Sequence, residues 1–340
     1  MPEAVLLVAH GSRSDAGQHE MAALARAVAD EEPERAVRFG YLELSDPPAS
    51  RAMEELLDSG ARDIVVVPLM LHAAGHAKSD VPAVVLDART RRPDVRITYG
   101  RPLGVDHALL ELGRQRLDAV GALGLPLAVL SRGTSDPDAN AEAYRVSRLL
   151  AEMSGARSAV AGFAGVTWPD VYDALDQLRR LGAERIGVLA WFLATGVLLE
   201  RMREDYRRFE EATGIEVVDA GYLGTGPVLT SIVLDRIAEA VEGRITPNCD
   251  ACAYRHPYPG LEDRVGLARG SGHSHLAADH LDHGHDGHSH DGHSHDGHSH
   301  DGHSHDGHSH DGHSHDGHGH VHLAVARPGP GHDPETTATT

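Results

Sequence analysis

From Pro2 to about Gly243, short unbroken apolar runs alternate with longer stretches in which apolar residues recur every three or four positions. An apolar run of strand length suits a strand buried on both faces, and the longer spacing suits an amphipathic helix. The alternation therefore predicts βαβ units and a parallel sheet, an α/β fold. In the first half, strands are expected over Ala4 to Ala9, Val37 to Leu42, Ile64 to Leu71 and Val95 to Tyr99. Helices are expected over Gln18 to Asp30, Ala49 to Ser59 and Val81 to Thr90.

The pattern repeats. At an offset of 122, Gly11 falls on Gly133, Glu20 on Glu142, Arg26 on Arg148, Pro47 on Pro169, Leu56 on Leu178 and Gly60 on Gly182; Ala61, Ile64, Val66 and Leu71 also meet identical residues. A constant offset through strand cores and turn glycines implies two similar α/β domains from a duplicated unit. The expected organisation is a first domain over 1–122, a second over 123–244, a linker over 245–270 and a tail over 271–340.

Composition changes the picture beyond Gly243. Of 27 histidines only six precede residue 273, and the unit DGHSH starts at Asp286, Asp291, Asp296, Asp301, Asp306 and Asp311, with DGHGH at Asp316. Such a repeat has almost no apolar side chains to bury, so it is expected to be disordered without a ligand. Its paired histidines, His288, His290, His293, His295, His298, His300, His303, His305, His308, His310, His313, His315, His318 and His320, suit Co²⁺, Ni²⁺, Zn²⁺ or Cu²⁺ with little selectivity. Metal buffering or delivery is the expected role, and a harmless low-complexity extension is the alternative. The linker carries the only two cysteines, Cys249 and Cys252, in a CxxC spacing that is half of a four-ligand metal site unless His256, the tail or a second subunit completes it, with an unligated or redox-active pair as the alternative.

The formal charge of −20 argues against a nucleic-acid partner, which needs clustered Lys and Arg. Two cysteines cannot build a disulfide framework, no stretch approaches a membrane span, and MPEAVLLVAHGS lacks a signal-peptide pattern. A cytoplasmic protein without a membrane partner is expected.

In a parallel α/β sheet, ligands bind beyond the carboxyl ends of the strands. There the first domain carries His10, Glu43, His72 and His76. Two imidazoles and a carboxylate suit Co, Ni, Fe or Zn, and either type of group can take a proton near neutral pH. Structural alternatives exist for single members: His72 can pack or donate to a loop carbonyl, and Glu43 can cap the next helix. The repeat supplies a control. His10 meets Arg132, Glu43 meets Gly165, His72 meets Ala194 and, across a one-residue gap, His76 meets Val197. Scaffold positions persist while all four candidates are replaced, which favours a functional role for the set.

The runs LLVAHGSRSDAG, GYLELSDPP and IVVVPLMLHAAGHAKSDVP, in that order, resemble the class II tetrapyrrole chelatases, specifically the sirohydrochlorin cobaltochelatase family of the long, two-unit type. The resemblance covers residues 4 to 253. It implies insertion of Co(II) into sirohydrochlorin with release of two protons, in anaerobic cobalamin synthesis. It places the family's active-site histidines on His10 and His76 and its acidic residue on Glu43, leaving His72 as an auxiliary candidate. The substrate carries eight carboxylates, for which Ser12, Arg13, Lys78 and Arg101 are the candidate donors, each with a solvated surface charge as the alternative. Long members also carry a CxxC associated with an iron–sulfur cluster; with no third cysteine, a cluster here would need ligands from elsewhere. A second copy of the chain is a candidate partner. Cobalt is favoured by the two-unit length and the histidine tail. The rivals are Fe(II) insertion for siroheme synthesis, Ni(II) as another metal, and a non-catalytic metal store or metallochaperone.

Overall fold

Six consecutive buried residues, Ala4–Ala9, form β1, and their side chains divide by parity: Val5, Leu7 and Ala9 face one apolar cluster, Ala4, Leu6 and Val8 another. That division is what a strand covered on both faces requires. The computed structural model describes residues 4–244 together with Pro257, Glu262 and Val265. Cys249, Cys252 and the tail histidines lie outside the described residues.

β1 is the second strand of a four-stranded parallel sheet ordered β2-β1-β3-β4, with β2 over Ala36–Tyr41, β3 over Asp63–Pro68 and β4 over Arg96–Tyr99. Helices α1 (Asp15–Glu31), α2 (Ala49–Asp58), α3 (Val81–Arg91) and α4 (His107–Ala119) complete the first half. The second half repeats it: β5 (Leu127–Ser131), α5 (Pro137–Ser154), β6 (Ala159–Phe163), α6 (Val171–Arg180), β7 (Arg185–Ala190), α7 (Val197–Thr213), β8 (Glu216–Tyr222) and α8 (Pro227–Glu242) build a sheet ordered β6-β5-β7-β8. Local detail also repeats at the offset of 122. Asp46–Pro47 and Trp168–Pro169 are cis, and Leu44 and Val166 both have positive φ.

β3 is shorter than the apolar run that predicts it. Leu69 N still donates to Val8 O at 2.7 Å, but Met70 N turns back onto Pro68 O and the ladder ends. Leu69 and Leu71 remain buried beyond the strand, so the apolar pattern outlasts the pairing.

Three apolar clusters account for the layering. One lies between α2, α3 and the outer face of the first sheet, one between α6, α7 and the outer face of the second. The third joins both inner faces through α1, α4, α5 and α8. The terminal helix of each half is exchanged: α4 packs on β7, β8 and α5, whereas α8 packs on β3, β4 and α1. Polar contacts repeat the exchange in both directions. Arg116 of α4 donates to Leu223 O at 2.9 Å, and the buried Arg236 of α8 donates to Leu103 O at 2.6 Å. Likewise Glu20 accepts from Thr195 N at 2.8 Å, and Glu142 accepts from Ala73 N at 3.4 Å. No helix among the described residues is long and apolar enough to cross a membrane.

Candidate metal centre

His10 is the first residue beyond β1, and the β1–β2 ladder carries Glu43 to it: Leu42 N donates to Ala9 O at 2.9 Å and Glu43 N to His10 O at 3.1 Å. Gly11 makes this approach possible. Its φ is +106°, and a Cβ there would lie 1.8 Å from Glu43 O, so only glycine lets the two strand exits touch. A serine pair fastens the loops beyond. Ser12 N donates to Ser45 Oγ and the Ser45 hydroxyl to Ser12 O, both at 3.0 Å.

The third group enters from the loop after β3. His76 opens a single π-helical turn, His76–Asp80, that runs into α3, and its Nδ1 contacts Asp80 four residues on. π-helical turns inside helices are often found at functional sites. The rings of His10 and His76 meet edge to face with centroids 4.3 Å apart. Ligand atoms of His10, Glu43 and His76 all lie within 4.8 Å of one another. An ion bonded at about 2.1 Å to each would have ligand atoms no more than about 4.2 Å apart, so a small side-chain adjustment closes the set.

The electrostatics suit a metal. His10 Nδ1 lies 3.3 Å from Glu43 Oε1, yet not in hydrogen-bonding geometry, and this buried nitrogen has no hydrogen-bond partner among the described residues. Burial is the main force holding the His10 pKa below the ordinary histidine value. The Arg132 guanidinium and His76 push the same way, against a smaller upward pull from Glu43. The imidazole is therefore mainly neutral at neutral pH, and its one lone pair is on Nε2, where Arg132 donates, so a cation at His10 would compete with that guanidinium. Glu43 is exposed and His76 partly so, which leaves the cluster open on one side.

The other candidate residues lie differently. His72 is turned towards the second half, its Nδ1 3.3 Å from Glu142 Oε2, outside the three-residue cluster. Lys78 pairs with Asp136 at 2.7 Å and Asp138 at 3.0 Å, and Arg101 binds Glu239 through two contacts of 2.8 and 2.9 Å. Both cations thus tie the halves together. Ser12 sits beside the site, its Oγ accepting from Ser14 N, while Ser14 caps α1. Arg13 is exposed. Two site neighbours escaped the sequence reading. Asp80 was visible as the carboxylate four residues after His76, and Arg132, noted only as the replacement for His10, donates to His10 Nε2.

Known proteins resemble this chain in sequence and fold. The CbiX family matches residues 4–120 and again 126–240, one match per half. The sirohydrochlorin cobaltochelatase of Priestia megaterium is 36% identical over 260 residues, covering 74% of this chain and 85% of its own. The sirohydrochlorin ferrochelatase of Bacillus subtilis is 28% identical over 241 residues, 70% of this chain and 92% of its own. The solved structure of SirB from Bacillus subtilis with Fe³⁺ superposes with a TM-score of 0.65 at 28% identity, covering 72% of this chain and 98% of that one. With two parallel-sheet halves, each matched by the family over nearly its whole length, the chain belongs to the CbiX family.

Proposed function

We propose that the protein is a sirohydrochlorin chelatase that inserts Co(II), with His10, Glu43 and His76 as the site of metal transfer. The observation that carries this reading is the convergence of those three groups at the carboxyl edge of one sheet, in the half whose repeat has none of them. The reaction takes a divalent ion and a metal-free macrocycle and yields the metallated macrocycle and two protons. Neutral His10 binds the ion loosely while its open side faces the macrocycle. As metal–nitrogen bonds form, the two pyrrole N–H protons pass to the imidazole and carboxylate that release the ion. Ser12 and Arg13, at the rim, are the proposed donors to substrate carboxylates; Lys78 and Arg101 can serve only if their existing ion pairs open. Tail histidines and Cys249 with Cys252 would act as accessory metal ligands.

Cobalt is preferred because the cobalt-named relative has the higher identity over the longer match. Iron is the second reading, favoured by the ferrochelatase relative, while SirB structures hold Fe³⁺ in one case and cobalt in another. Visible spectroscopy of sirohydrochlorin with Co²⁺ or Fe²⁺ tests both, using the full chain, His10→Ala and His76→Ala. The expected result is insertion above the spontaneous rate by the full chain, faster with Co²⁺, and loss of at least about a hundredfold in each variant with an unchanged circular dichroism spectrum. Insertion no faster than the protein-free control, together with stoichiometric binding of many ions, would instead identify a metal store.

A further inference from the structure

Arg132 stands where the duplication places a partner for His10, and in the folded chain the two residues touch across the cleft. Its guanidinium donates to His10 Nε2, and this is its one polar side-chain contact among the described residues. It is exposed and forms no ion pair there, unlike Lys78 and Arg101. The loop beside it follows β6: Gly133 has φ +77°, and a Cβ there would come within 3.0 Å of Gly165 O, so the backbone at Arg132 and Gly133 lies close to the loop whose Val166 and Trp168 are exposed. An always charged fork with no carboxylate partner among the described residues, placed on His10 in a loop that neighbours exposed apolar residues, fits an acidic, flat ligand better than it fits a bare cation.

We infer that Arg132 sets the hand-over of metal: it weakens retention of a divalent ion at His10 and anchors a carboxylate of the incoming macrocycle. This rests on the chelatase reading. The guanidinium sits against Nε2 until a substrate carboxylate offers a bidentate partner; moving onto it, Arg132 frees the face of His10 towards the macrocycle. The second half thus supplies a group to the site although its own ligand positions hold none.

The test uses the full chain and the variants Arg132→Met, Arg132→Gln and Arg132→Lys. Co²⁺ affinity is read from the visible absorption that disappears when His10→Ala is added to each variant, which separates this site from the tail. Binding of metal-free sirohydrochlorin is read by fluorescence. In Arg132→Met and Arg132→Gln, Co²⁺ should bind at least about tenfold more tightly, the size expected for a unit charge about 5 Å from a divalent ion in a water-like medium. Sirohydrochlorin should bind about tenfold or more weakly. Arg132→Lys keeps the charge, so it should restore the Co²⁺ affinity while recovering only part of the macrocycle affinity. If either affinity is unchanged in both neutral variants, the inference is wrong. The two readouts need no turnover, so wild-type protein that inserts no metal would overturn the chelatase reading alone.

Discussion

At the scale of single residues, the site depends on one glycine as much as on its ligands. Gly11 has no side chain, a positive φ and a carbonyl where its Cβ would be. In Gly11→Ala the backbone must shift, and the carbonyl displaced belongs to Glu43. The variant should lose about 2–4 kcal/mol of stability, seen as a lower urea midpoint, and metal binding should fall even where the protein is still folded. An urea midpoint equal to wild type would show that the strand exits are not in contact. The three residues that converge were legible in the sequence because strand ends are marked by where apolar runs stop, and because the repeat shows which positions differ between the halves. Asp80 and Arg132 were not assigned, for different reasons. Asp80 lies at an ordinary helical spacing from His76, but the apolar pattern starts the helix only at Val81, so the preceding helical turn that pairs them carries no apolar signal. Arg132 acts across a contact between residues 122 apart.

At the scale of elements, α4 and α8 decide what the halves are. Strands and the helices covering the outer faces could be read from the chain, but the exchange of α4 and α8 could not. An amphipathic helix carries the same apolar stripe whichever of two similar sheets it covers. The polar residues hold the choice. Arg236, 2% exposed, pairs with Asp106 and Glu239, and Glu239 also receives Arg101 from the first half. Burial alone would raise the Glu239 pKa, but the bonds from Arg101 and the charge of Arg236 outweigh it and hold the carboxyl below the usual glutamate range. A depressed pKa in the folded state contributes stability above the unfolded value, about 4.3, that is lost as pH falls through the folded value. Glu239→Gln should cost about 2 kcal/mol at pH 7, less than for a fully buried pair because Glu239 keeps some solvent and Asp106 stays on Arg236. Urea titrations of both proteins should show the gap closing as pH drops below about 4. A gap that is the same at pH 7 and pH 3 would remove Glu239 from the account of the exchange.

At the scale of the molecule, the boundary near Gly121 to Pro126 separates the repeats in sequence, while packing crosses it twice. Leu229, Ile232, Val233 and Ile237 of α8 are buried in the shared core. At about 1.5–3 kcal/mol for each side chain, that helix alone is worth as much as the whole stability of many domains. Residues 1–122 and 123–244 expressed separately should each be largely unfolded or aggregated. Mixed during refolding, they should recover helical content and the near-ultraviolet signal of Trp191. A first half that is stable and monomeric by itself would contradict the exchange.

The exchange also bears on why a copy without metal ligands persists. A duplicate that merely lies beside the original can be trimmed away once its chemistry is gone, and the original goes on working. Here deletion of the second half would strip α8 from the sheet whose β1 and β3 lead to His10 and His76. The second copy is therefore retained through packing whether or not it ever carried ligands of its own, because the half with the histidines cannot keep its covering helix without it.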